Sequence, residues 1–179
     1  MESVQKQKSR YIPRAAYLLN TFLFAPTLPF WRYCLTAYFV MAIPALILVL
    51  LAAWLFTLFG IDLTVVSSAV KSMSVMRVVG AVLIAPVAET LILAWMLTVF
   101  SSTKMRPGTI AMLCGLAWGI FHGLFGPLWF FGPAWAFFVM SCAYLHWRQT
   151  SFKHAFWAVA IPHAVNNSVA LSTVFLLGA

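Results

Sequence analysis

Apolar positions run together along this chain in stretches too long for a surface helix or a strand, and crossing a hydrocarbon core takes about 20 helical residues. Five stretches are candidates to do so, at 33–59, 75–100, 109–124, 127–147 and 152–177. The third is short, and the Gly126, Pro127, Gly132 and Pro133 cluster after it predicts a tight, partly membrane-embedded turn into the fourth. Ahead of the first stretch, 13–24 puts Ala16, Leu19, Phe22 and Leu23 on one helical face, with Arg14 and Asn20 elsewhere, and Pro26 and Pro29 stop it. That pattern predicts a helix lying in the membrane interface, the alternative being a disordered basic tail with a bent connection. The expected fold class is all-α, a polytopic transmembrane helical bundle of about five spans plus the interfacial helix. The basic segment and interfacial helix occupy 1–32, and the transmembrane domain 33–179.

Composition removes the main competitor. Of the 179 residues, 64% are hydrophobic and 8% charged, against about 25% charged in a soluble domain. So few polar residues cannot cover a globule in water, and the lipid bilayer becomes the expected partner. The net charge of +8 does not point to nucleic acid, because the cations sit between apolar runs. Lys6, Lys8, Arg10, Arg14, Arg32, Lys104, Arg106, Arg148 and Lys153 fall on one side of a five-span chain, and Lys71 and Arg77 on the other. The positive-inside rule then places the N-terminus in the cytoplasm and the C-terminus outside. Cys34, Cys114 and Cys142 are scattered, without a CxxC pair, so neither a disulfide framework nor a structural zinc site is expected. The first long apolar run is far longer than a signal-peptide core, and no cleaved signal is expected.

Within such spans an ionisable group costs about 2.5–3.5 kcal/mol at a helix centre, so each one needs a partner or a task. Glu89 lies in the second stretch, His122 in the third, and His163 with Asn166 and Asn167 in the fifth. His163 and Asn167 are four residues apart and share a helix face, as do Trp118 and His122. Pro86 frees the backbone carbonyl four residues upstream and loosens the helix ahead of Glu89, and His163 directly follows Pro162. Loosened helices beside polar groups are where membrane proteins admit water.

Three segments carry a resemblance. Pro86-Val87-Ala88-Glu89-Thr90, Trp118-Gly119-Ile120-Phe121-His122 and His163-Ala164-Val165-Asn166-Asn167 resemble, in order and approximate spacing, the three motifs of the CPBP intramembrane proteases, the family of the CAAX prenyl endopeptidase and the bacterial Abi proteins. The resemblance covers about half the chain, from the second stretch to the fifth. It implies a glutamate-type endopeptidase acting on peptides or membrane-associated proteins, in which Glu89 is general base on a water, His122 orients that water, and His163 with Asn167 stabilises the oxyanion. Trp118, standing for the family's usual Phe, and Thr90 are the candidate substrate-binding positions. The pattern departs from the family where Thr90 replaces a second Glu and where Leu91, Ile92, Leu93 and Ala94 leave no Arg. A bacterial plasma membrane is the localisation the resemblance suggests.

Other readings stay open beside it. Glu89, His122 and His163 form a two-His, one-carboxylate set that zinc could use, although no HExxH is present and no cofactor is expected. A catalytically lapsed relative working as a binding, immunity or assembly subunit in a membrane complex would account for Thr90 and the missing Arg. A small transporter predicts repeat symmetry that the chain does not show. Taken singly, Thr90, Asn166 and Ser168 read as interhelical hydrogen-bond glue, and Trp118, Trp129, Phe130, Phe131 and Trp135 as packing or interfacial anchors.

Overall fold

The protein was analysed as a computed structural model, which describes residues 22–23, 28–63 and 74–176. The helix expected at 13–24 lies outside these residues except for Phe22 and Leu23, as do Lys6, Lys8, Arg10, Arg14 and Lys71. Five helices follow in order and no strand occurs among the described residues: α1 (Phe30–Leu58), α2 (Val75–Ser101), α3 (Pro107–Gly123), α4 (Phe131–Trp147) and α5 (Phe152–Leu176). A 3-10 turn at Pro127–Phe130 leads into α4.

Local chemistry sets the ends. Gly60, at φ 69°, closes α1 in a left-handed turn in which Gly60 N–H donates to the Thr57 carbonyl and Ile61 N–H to that of Phe56. Ser74 caps α2 by accepting from Arg77 N–H at 3.2 Å, and the Ser151 hydroxyl does the same for His154 N–H at 3.1 Å ahead of α5. Pro107 starts α3, where its missing N–H has no helical partner to lose.

Three helices are long and apolar enough to cross a membrane: α1, α2, and the turn with α4 (Pro127–Trp147). From sequence about five are expected. At 17 residues α3 is about 24 Å long, short of a hydrocarbon core of about 30 Å. The 25-residue α5 has the length, but His163, Asn166, Asn167, Ser168, Ser172 and Thr173 dilute its apolarity. Only 11% of the most apolar window of α1 is buried, and Leu46, Leu50 and Trp54 stand exposed along it. In water this would be an apolar patch far beyond what soluble monomers carry, and lipid is the solvent that accommodates it.

Helix α4 is central, packed against α1, α3 and α5, while α2 rests mainly on α5. The closest approach is α3 to α4. Gly115, Gly119 and Gly123 recur every four residues along one face of α3. A Cβ at Gly115 would lie 2.6 Å from the Ala134 carbonyl oxygen, and one at Gly119 2.7 Å from Ala134 Cβ. Glycines let the two backbones touch, the small-residue packing on which helix pairs in lipid depend.

Prolines provide the other long-range ties. Pro44, inside α1, cannot donate to the Val40 carbonyl, and the Trp135 indole N–H of α4 does so at 2.9 Å. In α2 the helix widens to π at Gly80–Ile84, and Ala85 N–H donates to Gly80. The next rung of that π ladder would run from residue 86 to Ala81, but Pro86 has no N–H, and the Asn167 amide of α5 supplies the bond at 2.8 Å. From sequence the freed carbonyl is expected four residues before Pro86. The π register moves it to five.

Candidate functional site

That cross-link closes one wall of a cavity of about 460 Å³ between α1, α2, α4 and α5, with the end of α3 contributing. Four of the residues singled out from sequence, Glu89, His122, His163 and Asn167, line it together. Each helix brings its group for a local reason. The π turn ends five residues before Glu89 and Pro86 stands within one turn of it, the glycine face of α3 lets His122 come in beside α4, and the four-residue spacing on α5 turns His163 and Asn167 the same way.

Glu89 is the one acid within the apolar stretches, the other two being Glu2 and Asp62. Its Oε2 lies 3.6 Å from His163 Nε2, slightly beyond hydrogen-bond length, and is buried with no hydrogen-bond partner among the described residues. His163 is 6% exposed, and its Nδ1 is likewise unpartnered among those residues. Buried polar atoms of this kind are costly unless they serve a ligand or a reaction. His122 Nδ1 donates to the Trp118 carbonyl at 2.9 Å. A carbonyl only accepts, so the neutral ring carries its hydrogen on Nδ1 and presents a lone pair at Nε2. Asn167 has two Nδ2 hydrogens, and Ala81 takes one of them.

Phe137 organises the histidines, and sequence reasoning did not single it out. Its ring is edge-on to His163 with centroids 5.6 Å apart, lies 5.8 Å from His122, and stacks on Trp118 at 4.3 Å. Nothing distinguishes Phe137 among the 16 phenylalanines of the sequence. Asn166 and Trp129, read from sequence as glue and anchor, also line the cavity. Trp118 and Thr90 do not. Trp118 is buried behind Phe137, Thr90 is fully buried in α2, and both the Trp118 indole N–H and the Thr90 hydroxyl lack partners among the described residues.

With a carboxylate, two imidazoles and two amides on otherwise apolar walls, the cavity can hold a water or a carbonyl group against a base and several donors. Among the described residues no three His, Cys, Asp or Glu side chains are grouped closely enough to hold a metal ion. Comparison of the chain with protein-family models, with curated proteins and with solved structures finds no match.

Proposed function

We propose that this chain is a glutamate-type intramembrane endopeptidase, set in a bacterial plasma membrane through five helices with its N-terminus cytoplasmic. The observation that carries the proposal is the 3.6 Å approach of Glu89 to His163 inside a cavity that His122 and Asn167 also line. A carboxylate held in apolar surroundings without a full hydrogen bond is far costlier than interhelical glue, which returns about 0.6 kcal/mol on average. Glu89 takes a proton from water, whose oxygen adds to the substrate carbonyl carbon. His122 positions that water through its Nε2 lone pair. His163 and the second Asn167 hydrogen donate to the developing oxyanion, and the proton passes to the amine as the C–N bond breaks. Peptides or membrane-associated proteins are the substrates.

The change at Thr90 leaves the cavity wall as the proposal needs it. Position 90 faces away from the cavity, so the group missing relative to the CPBP pattern is absent from the packing behind Glu89 and not from the wall itself. A second reading, a lapsed relative binding a partner in a membrane complex, is favoured by Leu93 and Ala94, which are buried and apolar where the pattern has a guanidinium.

The test compares protein termini in host membranes carrying wild type or Glu89→Gln at matched abundance. A discrete set of termini is expected to vanish in the variant, and His122→Ala should reproduce the loss. Unchanged termini, with a phenotype still caused by deleting the whole protein, replace the protease by the binding subunit.

A further inference from the structure

Helical rise locates the cavity in depth. On α1, Met41 and Val49 lie about 17 and 29 Å from Phe30, and on α5, His163 and Leu171 lie about 17 and 29 Å from Phe152, at 1.5 Å per residue. Both helices start at the end of the bundle that holds Arg32, Arg148 and Lys153, and they run on to about 42 and 36 Å respectively. By contrast α3 ends after about 24 Å, at Gly123. The turn beyond it, with Leu124 and Phe125 at 77% and 63% exposure, therefore lies below the far ends of its neighbours. On the far side the part of the wall that α3 contributes is low, and Leu128 and Trp129 of the turn continue it.

A second recess, about 780 Å³, opens at that same end between the start of α2 and the end of α5. It is lined by side chains such as Val75, Val79, Ser172 and Phe175, and it shares Leu171 with the first cavity. Leu171 thus borders both, and brings the far-end recess next to the cavity that holds Glu89. Among the described residues no Lys or Arg lines either recess, so these walls offer no cation to a terminal carboxylate or a phosphate. The cations mark the other end: nine of the eleven lie with the N-terminus, and Lys71 and Arg77 lie across the membrane from them in the five-span arrangement. By the positive-inside rule, the open end faces away from the cytoplasm.

We propose that the cavity is reached from the extracytoplasmic face, and that its substrate is an internal, apolar stretch of polypeptide on the translocated side of a membrane anchor. The apolar side chains of that stretch lie in the α2–α5 recess while the bond to be cut reaches Glu89. The substrate half of this rests on the protease reading, whereas the direction of access does not.

Thiol labelling separates the two. The native cysteines are buried and serve as the unreactive background. Ser172→Cys and Leu128→Cys probe the two recesses, and Ser102→Cys, exposed at the cation-rich end, is the control. A membrane-impermeant maleimide is expected to label the first two in intact spheroplasts, and Ser102→Cys only in inverted vesicles. The reverse pattern, or recess cysteines reactive from neither side in protein present at wild-type abundance, overturns the proposal. In the termini comparison, the cuts lost in Glu89→Gln should lie on the extracytoplasmic side of each substrate's span, and cuts on the cytoplasmic side overturn the substrate assignment. Labelling as expected with unchanged termini leaves the access route standing and removes the protease.

Discussion

The bond from Asn167 to the Ala81 carbonyl yields the sharpest prediction, because its need is created by another residue. With Pro86 present and the helix in π register, Ala81 has no backbone donor, and Asn167→Ala strips away the one that replaces it. An unsatisfied buried carbonyl costs about 1–3 kcal/mol in soluble proteins. Side-chain hydrogen bonds within membranes average about 0.6 and reach about 1.7 kcal/mol. Asn167→Ala should therefore destabilise by about 0.6–1.7 kcal/mol, the membrane range, since Ala81 is half-buried on the cavity wall and water there can replace part of the bond. In Pro86→Ala, residue 86 recovers an N–H and the segment can return to α register. Ala85 N–H then meets Ala81, residue 86 meets Val82, and Asn167 becomes dispensable. The same Asn167→Ala change in that background should cost less than about 0.5 kcal/mol, a coupling of the size seen between contacting residues. Reversible unfolding in mixed micelles, as denaturing detergent is increased, measures all four proteins. Equal costs for Asn167→Ala in the two backgrounds would refute the reasoning.

Two other predictions use the same logic of local need. Trp135→Phe should destabilise by about 0.6–1.7 kcal/mol by leaving the Val40 carbonyl unpaired, and by much less in Pro44→Ala, where the helix supplies its own donor; the same four-protein unfolding cycle reads this. Gly115→Ala should cost about 1–3 kcal/mol, because its Cβ meets backbone atoms at 2.6 and 2.9 Å that cannot yield. Gly80→Ala, at a helical φ of −56° with nothing within 4 Å, should instead stabilise by about 0.4–1 kcal/mol. Opposite shifts in the unfolding midpoint check the pair, and a loss at both positions would show that space at the Cβ does not decide the sign.

Much of this protein was legible because membranes impose local rules. Helix α2 begins and ends within a residue of the expected 75–100, since apolar run length alone sets how much backbone must satisfy itself in lipid. The short third helix and the turn after it were also readable, from Gly126, Pro127 and the brief apolar run. So was the set of Glu89, His122, His163 and Asn167, because polar groups in apolar stretches are too costly to be incidental. The glycine recurrence at 115, 119 and 123 is a further sign of close helix packing that the sequence carries.

What the sequence by itself determined is therefore the helical class, the alternation of apolar runs with cation-bearing connections, and the few polar groups that had to find a use. Each follows from neighbours in the chain and the solvent around them. The tertiary structure alone decided which carbonyl Pro86 orphans, that Asn167 answers it from 86 residues away, and that Trp135 answers the Val40 carbonyl across 95. It also decided that Phe137 stands between the two histidines while Thr90 and Trp118 sit off the cavity wall. These depend on how closely and at what rotation distant helices meet, which is settled by packing among many nearly equivalent apolar side chains and leaves no local mark in the sequence.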